Sequence, residues 1–159
     1  MKPKSFPPIY DKNSRLLILG TMPSVKSREA GFYYSHPQNR FWKVLSACFG
    51  KSLPQTVEEK TQLLLTHKIA LWDVLESCEI TGSDDSTIRE PIYNDVAGLI
   101  NKTRIEKVLC NGTKAYKLYL GLGLSLPAAC MPSTSPANAA WSLEKLIEKW
   151  KAELDFISK

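Results

Sequence analysis

The amino-acid sequence predicts an α/β fold: a three-layer α/β/α sandwich around a four-stranded parallel sheet. Short apolar runs of strand length alternate with stretches of helical periodicity, the pattern of parallel strands joined by crossover helices. The runs are apolar at consecutive positions, as strands covered on both faces are. Each run stops at a polar or turn-forming residue, so four loops converge on one rim of the sheet, where open α/β sheets bind ligands. The 159 residues are read as one domain, 1–159, large enough to bury about 70% of its unfolded surface.

Residues 1–14 contain three prolines and read as an extended lead-in. Arg15–Gly20 is the first strand, with Leu16, Leu17, Ile18 and Leu19 as its buried run. A polar loop, Thr21 to Glu29, and the aromatic cluster Phe32-Tyr33-Tyr34 follow. Asn39–Phe49 reads as a helix with Phe41, Val44, Leu45 and Cys48 at helical spacing, and Gly50 ends it. Thr56-Val57-Glu58-Glu59 fits a capping box and opens a second helix running to His67. Lys68–Trp72 is the second strand, and Asp73 stands at its carboxyl end. Val74 to Pro91 reads as an irregular loop, and Tyr93–Lys102 as a short helix. Lys107–Cys110 is the third strand, ended by Asn111-Gly112. Thr113–Leu120 forms a helix stopped by Gly121 and Gly123. Leu126–Met131 is the fourth strand, placed at an edge by Pro127. The last helix is expected over Asn138–Ile157, with Leu143, Leu146, Ile147, Trp150 and Leu154 as one apolar stripe.

The charge balance, 21 basic against 16 acidic residues, gives a net +5, compatible with a polyanionic partner without singling one out. Cys48, Cys78, Cys110 and Cys130 are separated by 30, 32 and 20 positions, which matches no zinc or iron–sulfur motif and reads as reduced, buried thiols. The amino terminus lacks the apolar core of a signal peptide, and no apolar run reaches the roughly 18 residues of a membrane span. The expectation is a soluble, cytoplasmic protein.

The rim residues carry the candidate chemistry. Asn39 offers an amide with a donor and an acceptor, and Asn is equally a favoured helix N-cap. His36 precedes Pro37 and is read either as a packed turn or as a contact to a phosphate or a leaving group. Tyr33 and Tyr34 are adjacent and cannot both face one core, so one of them reaches the rim, where a ring can stack on a base. Phe41 and Trp42 read as core. The Gly20-Thr21-Met22-Pro23-Ser24 loop has backbone N–H groups and Ser24 to offer an anion, but lacks the Gly-Lys-Ser/Thr ending of a P-loop. The loop Pro132 to Asn138 offers Ser133, Thr134 and Ser135 to a DNA phosphate, and reads equally as a turn capped by Asn138. Asp73 is read as an acceptor for a purine ring N–H or as a loop cap, and Asp84 and Asp85 are further carboxylates near the rim. Hydrolase motifs of the GxSxG and HExxH type are absent.

The segments LILGTMPS (17–24), YYSHPQNRFWKVL (33–45), LWDVLESCEITGSDDSTI (71–88) and PSTSPANA (132–139) together resemble the uracil-DNA glycosylase superfamily. Within it they resemble the DNA-deoxyinosine glycosylase branch, family 6, also called the hypoxanthine-DNA glycosylases. The aromatic-His-Pro-x-Asn-x-Phe-Trp string is also similar to that of the mismatch-specific uracil-DNA glycosylases, whose first motif carries a water-activating Asn. Met22 stands there in this chain, and a thioether cannot orient water.

The resemblance implies a uracil-DNA glycosylase-like fold and a monofunctional enzyme that flips deoxyinosine out of DNA and hydrolyses its N-glycosidic bond. It leaves an abasic site and needs neither metal nor cofactor. The implied partner is DNA containing deaminated bases, bound by a monomer without a membrane. Asn39 is implied as the catalytic residue that positions water. Thr21, Met22, Tyr34 and Asp73 are expected to hold the base, with Asp73 facing the N1–H of hypoxanthine. Ser24, His36, Ser133, Thr134, Ser135 and Asn138 are expected to hold the DNA. Uracil or mismatched-base excision, and lesion binding without catalysis, are the alternative readings.

Overall fold

The computed structural model describes residues 6–23, 25–79 and 89–155. Its central sheet has four parallel strands: β1 (Leu16–Gly20), β2 (Ile69–Asp73), β5 (Lys107–Asn111) and β6 (Ala128–Met131), in the order β2-β1-β5-β6. The α/β/α sandwich read from the sequence is present. The register aligns Gly20 with Asp73 and Asn111 with Met131. The carboxyl ends of all four strands therefore share one rim. Val108 N–H donates to the Pro127 carbonyl, so the proline lies just outside edge strand β6, where its missing N–H costs no ladder bond.

Alternation along each strand divides the core into two apolar layers. On one face Leu16, Ile18, Ile69, Leu71, Leu109 and Met131 pack against α2 (Phe41–Cys48), α3 (Val57–Thr66) and α6 (Leu143–Leu154). On the other, Leu17, Leu19, Ala70, Val108 and Cys110 meet α4 (Val96–Asn101) and α5 (Thr113–Leu120). Leu16 through Leu19 are all fully buried, as their unbroken apolar run requires. The Thr56 hydroxyl accepts from Glu59 N–H while the Glu59 carboxylate accepts from Thr56 N–H, the capping box expected at α3. The lead-in is tied to the sheet. Ile9 bridges to Leu71, and the Tyr33 hydroxyl and Trp72 indole both donate to the Phe6 carbonyl.

Four local expectations are corrected. The polar loop after β1 contains a short helix, α1 (Val25–Ala30). The segment read as irregular forms two antiparallel strands, β3 (Leu75–Glu79) and β4 (Arg89–Tyr93), with register shifts between them. Their pairing is non-local, and neither segment has the apolar alternation that would announce it. Helix α4 starts at Val96 instead of Tyr93, because Tyr93 belongs to β4 and the Asp95 carboxylate caps Gly98 N–H. Helix α6 starts at Leu143 instead of Asn138, with Ser142 as its cap. Residues 138–141 are drawn into the rim loop, as described below. Among the described residues no helix is long and apolar enough to cross a membrane, and no group of three His, Cys, Asp or Glu is placed to hold a metal ion.

Candidate active site

A pocket of about 150 Å³ opens at the rim, lined by residues of all the expected segments: Thr21, Met22, Tyr34, Asn39, Asp73 and the 133–135 loop. A cavity of roughly that volume admits an aromatic ring.

Strands β1 and β2 build one wall. Val74 N–H donates to the Gly20 carbonyl and Leu75 N–H to the Thr21 carbonyl, so the chain leaving β2 is tied back to the end of β1. The Asn94 amide donates to the Asp73 carbonyl. These bonds fix the backbone of Asp73, whose side chain is buried in the pocket wall at 2% exposure. Gly20 makes this wall possible. A Cβ there would stand 2.6 Å from Asp73 Oδ1 and 2.7 Å from the Tyr34 hydroxyl. Gly20→Ala is therefore expected to push both side chains out of place. An overpacking cost of about 1–3 kcal/mol should appear as a lower thermal midpoint, together with loss of ligand binding in the pocket.

The aromatic cluster divides as adjacency demands. Tyr33 is buried, and burial, then the negative charge of Asp73, pushes its hydroxyl well above the ordinary tyrosine range. It remains a neutral donor to the Phe6 and Pro7 carbonyls. Tyr34 is half-buried at φ 52°, a left-handed conformation that costs a bulky residue about 1–3 kcal/mol. Its ring stacks on Phe41 with centroids 4.1 Å apart, which holds the strained backbone in place. Phe41 and Trp42 are core residues, as expected.

Asn39 is not a free amide. Its Oδ1 accepts from Phe41 N–H at 2.9 Å and from the Thr134 hydroxyl at 2.9 Å. The helix proper begins at Phe41 with Arg40 at the cap position, so Asn39 makes an Asx turn one residue ahead of the cap, and it lines the pocket as well. The N-cap reading of Asn39 is corrected to a turn before the cap, because the first intrahelical bond, from Val44 N–H, ends on the Arg40 carbonyl.

The 132–141 loop is braced from inside. The Arg40 guanidinium donates to the carbonyls of Ser135, Asn138 and Trp141. The Asn138 amide donates to the Ser133 carbonyl. The hydroxyls of Ser133 and Ser135 accept from Ser135 N–H and Ala137 N–H. Thr134 is fully buried. Its N–H, hydroxyl and carbonyl are bonded to Asn111, Asn39 and Arg40. The expectation that the Thr134 side chain contacts DNA is corrected: it belongs to the pocket floor. Asn138 is not the helix cap; its side chain shapes the turn and lines a neighbouring groove. His36 lies outside the pocket lining. Its Nδ1 accepts from Gln38 N–H and its carbonyl from Asn39 N–H, which closes the turn before the helix and leaves the residue partly exposed. Ser24, Asp84 and Asp85 fall outside the described residues.

The model of the family described as "Uracil DNA glycosylase superfamily" matches residues 7–156. The chain belongs to that superfamily. A curated relative from Methanosarcina acetivorans, named hypoxanthine DNA glycosylase, is 35% identical over 153 residues, covering 94% of this chain and 96% of the relative. A second, of the same name from Methanosarcina barkeri, is 34% identical over 117 residues, covering 72% and 74%. The solution NMR structure of a Methanosarcina acetivorans protein provisionally assigned as a uracil DNA glycosylase superposes with a TM-score of 0.84 at 32% identity, covering both chains fully. This chain is thus a DNA glycosylase of the superfamily, and DNA is its substrate class.

Two residues that shape this pocket escape sequence reasoning. Arg40 sits inside the recognised string, and its signal is a cation placed before a helix with no nearby acid. Asn111 reads as an ordinary strand-ending turn residue. Only the β5–β6 pairing brings its amide to Thr134.

Proposed function

We propose that this glycosylase releases hypoxanthine from deoxyinosine in DNA and leaves an abasic site for base excision repair. The observation that carries the reading is the buried carboxylate of Asp73 in the wall of a ring-sized pocket. Hypoxanthine presents N1–H where adenine presents a lone pair, so a fixed acceptor favours the deaminated base and repels the normal one. The names of the curated relatives support the same substrate.

In this reading the flipped base lies against the ring of Tyr34, whose other face packs on Phe41. Thr21 and Met22 line the pocket beside it. Stacking of this kind contributes about 1–3 kcal/mol per base. Water adds its oxygen to C1′, the C1′–N9 bond breaks with its electron pair going to the base, and the base takes up the proton. Ser133, Ser135, Asn138 and the outward side of His36 border the surface on which the DNA backbone lies. The acting unit in this reading is a single chain.

Oligonucleotides carrying deoxyinosine, deoxyuridine, deoxyxanthosine or a G·T pair, treated with the protein and then with alkali, test the proposal. Strand scission at deoxyinosine above the others is expected. Scission at deoxyuridine with none at deoxyinosine would replace the substrate, and no scission at any of them would leave only lesion binding.

A further inference from the structure

The hydrogen bonds beneath the pocket fix which end of the Asn39 amide meets the ligand. Two backbone N–H groups, which can only donate, anchor the chain of bonds. At one end Thr134 N–H donates to Asn111 Oδ1 at 3.1 Å, so the opposite end of that amide, Nδ2, is the donor to Thr134 Oγ1 at 3.1 Å. The Thr134 hydroxyl, having accepted there, directs its proton to Asn39 Oδ1 at 2.9 Å. At the other end Phe41 N–H donates to the same Asn39 oxygen at 2.9 Å. A carbonyl oxygen has two lone pairs, and both are now used. Flipping either amide would set a donor against a donor.

From this polarity we infer that Asn39 serves the pocket through its NH₂ group alone, and that Thr134 and Asn111 are positioning residues that hold it so. The inference rests on the proposed glycosylase reading and sharpens it. An amide presented as a donor is a poor partner for a water that must give up a proton. It suits the acceptor edge of the departing purine. As the C1′–N9 bond breaks, its electron pair spreads over the ring nitrogens and O6 of hypoxanthine, and a fixed N–H donor stabilises that charge more than it stabilises the neutral base. The expected water-positioning role of Asn39 is replaced by leaving-group stabilisation. Met22 then fits the site as well, because neither motif position supplies a proton acceptor to water.

Thr134 is fully buried, and its carbonyl also receives Arg40 N–H at 3.1 Å, so residues 39–41 and 134 move as one piece. Loss of its hydroxyl would leave the Asn39 amide held by Phe41 N–H alone and let it shift without opening the pocket.

Three variants and one spectrum test this. Asn39→Asp keeps both acceptor bonds and removes the NH₂. Its excision of deoxyinosine in single turnover should fall about 10²-fold or more, whereas activity equal to or above wild type would overturn the inference in favour of an acceptor role. Thr134→Val should lower kcat by about 10²-fold, the cost of a displacement on the order of 1 Å, with KM little changed; Thr134→Ser should restore it. A Thr134→Val enzyme as fast as wild type would overturn the relay. In ¹⁵N-labelled wild-type protein the Asn39 side-chain NH₂ pair should be widely separated in shift, and in folded Thr134→Val it should collapse toward the free-amide position. An unchanged pair would also overturn the relay. Absence of hypoxanthine release by the wild type would sink the substrate reading instead, while the NH₂ signal would still decide the relay.

Discussion

Replacing Asn39 by alanine lowers deoxyinosine excision about 10²–10³-fold, the loss seen when one fixed donor is removed from a developing negative charge. The side chain also supports the fold, since its oxygen receives Phe41 N–H and the Thr134 hydroxyl. Leaving a buried donor without its partner costs about 1–3 kcal/mol. For a chain of this size each kcal/mol shifts the thermal midpoint by about 2–4 °C. The two effects separate cleanly. Single-turnover excision measured well below the variant's midpoint reports the chemistry, and thermal unfolding reports the lost hydrogen bonds. Unchanged excision together with a lowered midpoint would reduce Asn39 to a structural residue.

Trp150→Ala is expected to destabilise the protein by about 3–5 kcal/mol, the usual cost of removing a large aromatic from a core. This is about 6–20 °C in the thermal midpoint by the same proportion. Trp150 is the largest fully buried side chain. Its ring meets Phe41 edge-on with centroids 6.3 Å apart, and Phe41 in turn carries the ring of Tyr34. The indole N–H donates to the Pro132 carbonyl at 3.1 Å, at the start of the rim loop. One residue of α6 thus supports both the Tyr34 side of the pocket and the start of the rim loop. Excision should fall with stability, even at temperatures where the variant is still folded by circular dichroism. A midpoint within a degree or two of wild type would show that the core closes around the gap and that α6 does not support the site.

The architecture was legible because the sheet is buried on both faces. Leu16 through Leu19 and Ile69 through Leu71 can be nothing but interior strand, and the helix stripe ending at Leu154 needs an apolar partner. The rim followed from where those runs stop, which puts Asp73 beside the loop after Gly20, and Asn39 and Tyr34 from the aromatic string line the same pocket. The β3–β4 pair and the late start of α6 were not legible. A ribbon made from LESCE and REPIY, and a turn held by an arginine about 100 positions earlier in the chain, depend on partners that local pattern does not name.

The sequence by itself determined the sandwich, because periodicity and strand ends are properties of the chain alone, and its motif strings carried the resemblance to the family. Only the tertiary structure decided what the rim residues can do. Thr134 reads as a surface hydroxyl for DNA until folding buries it between Asn39 and Asn111. Hydrogen-bond polarity belongs to a closed set of neighbours, and these three residues, scattered along the chain, become neighbours only when β5, β6 and α2 come together.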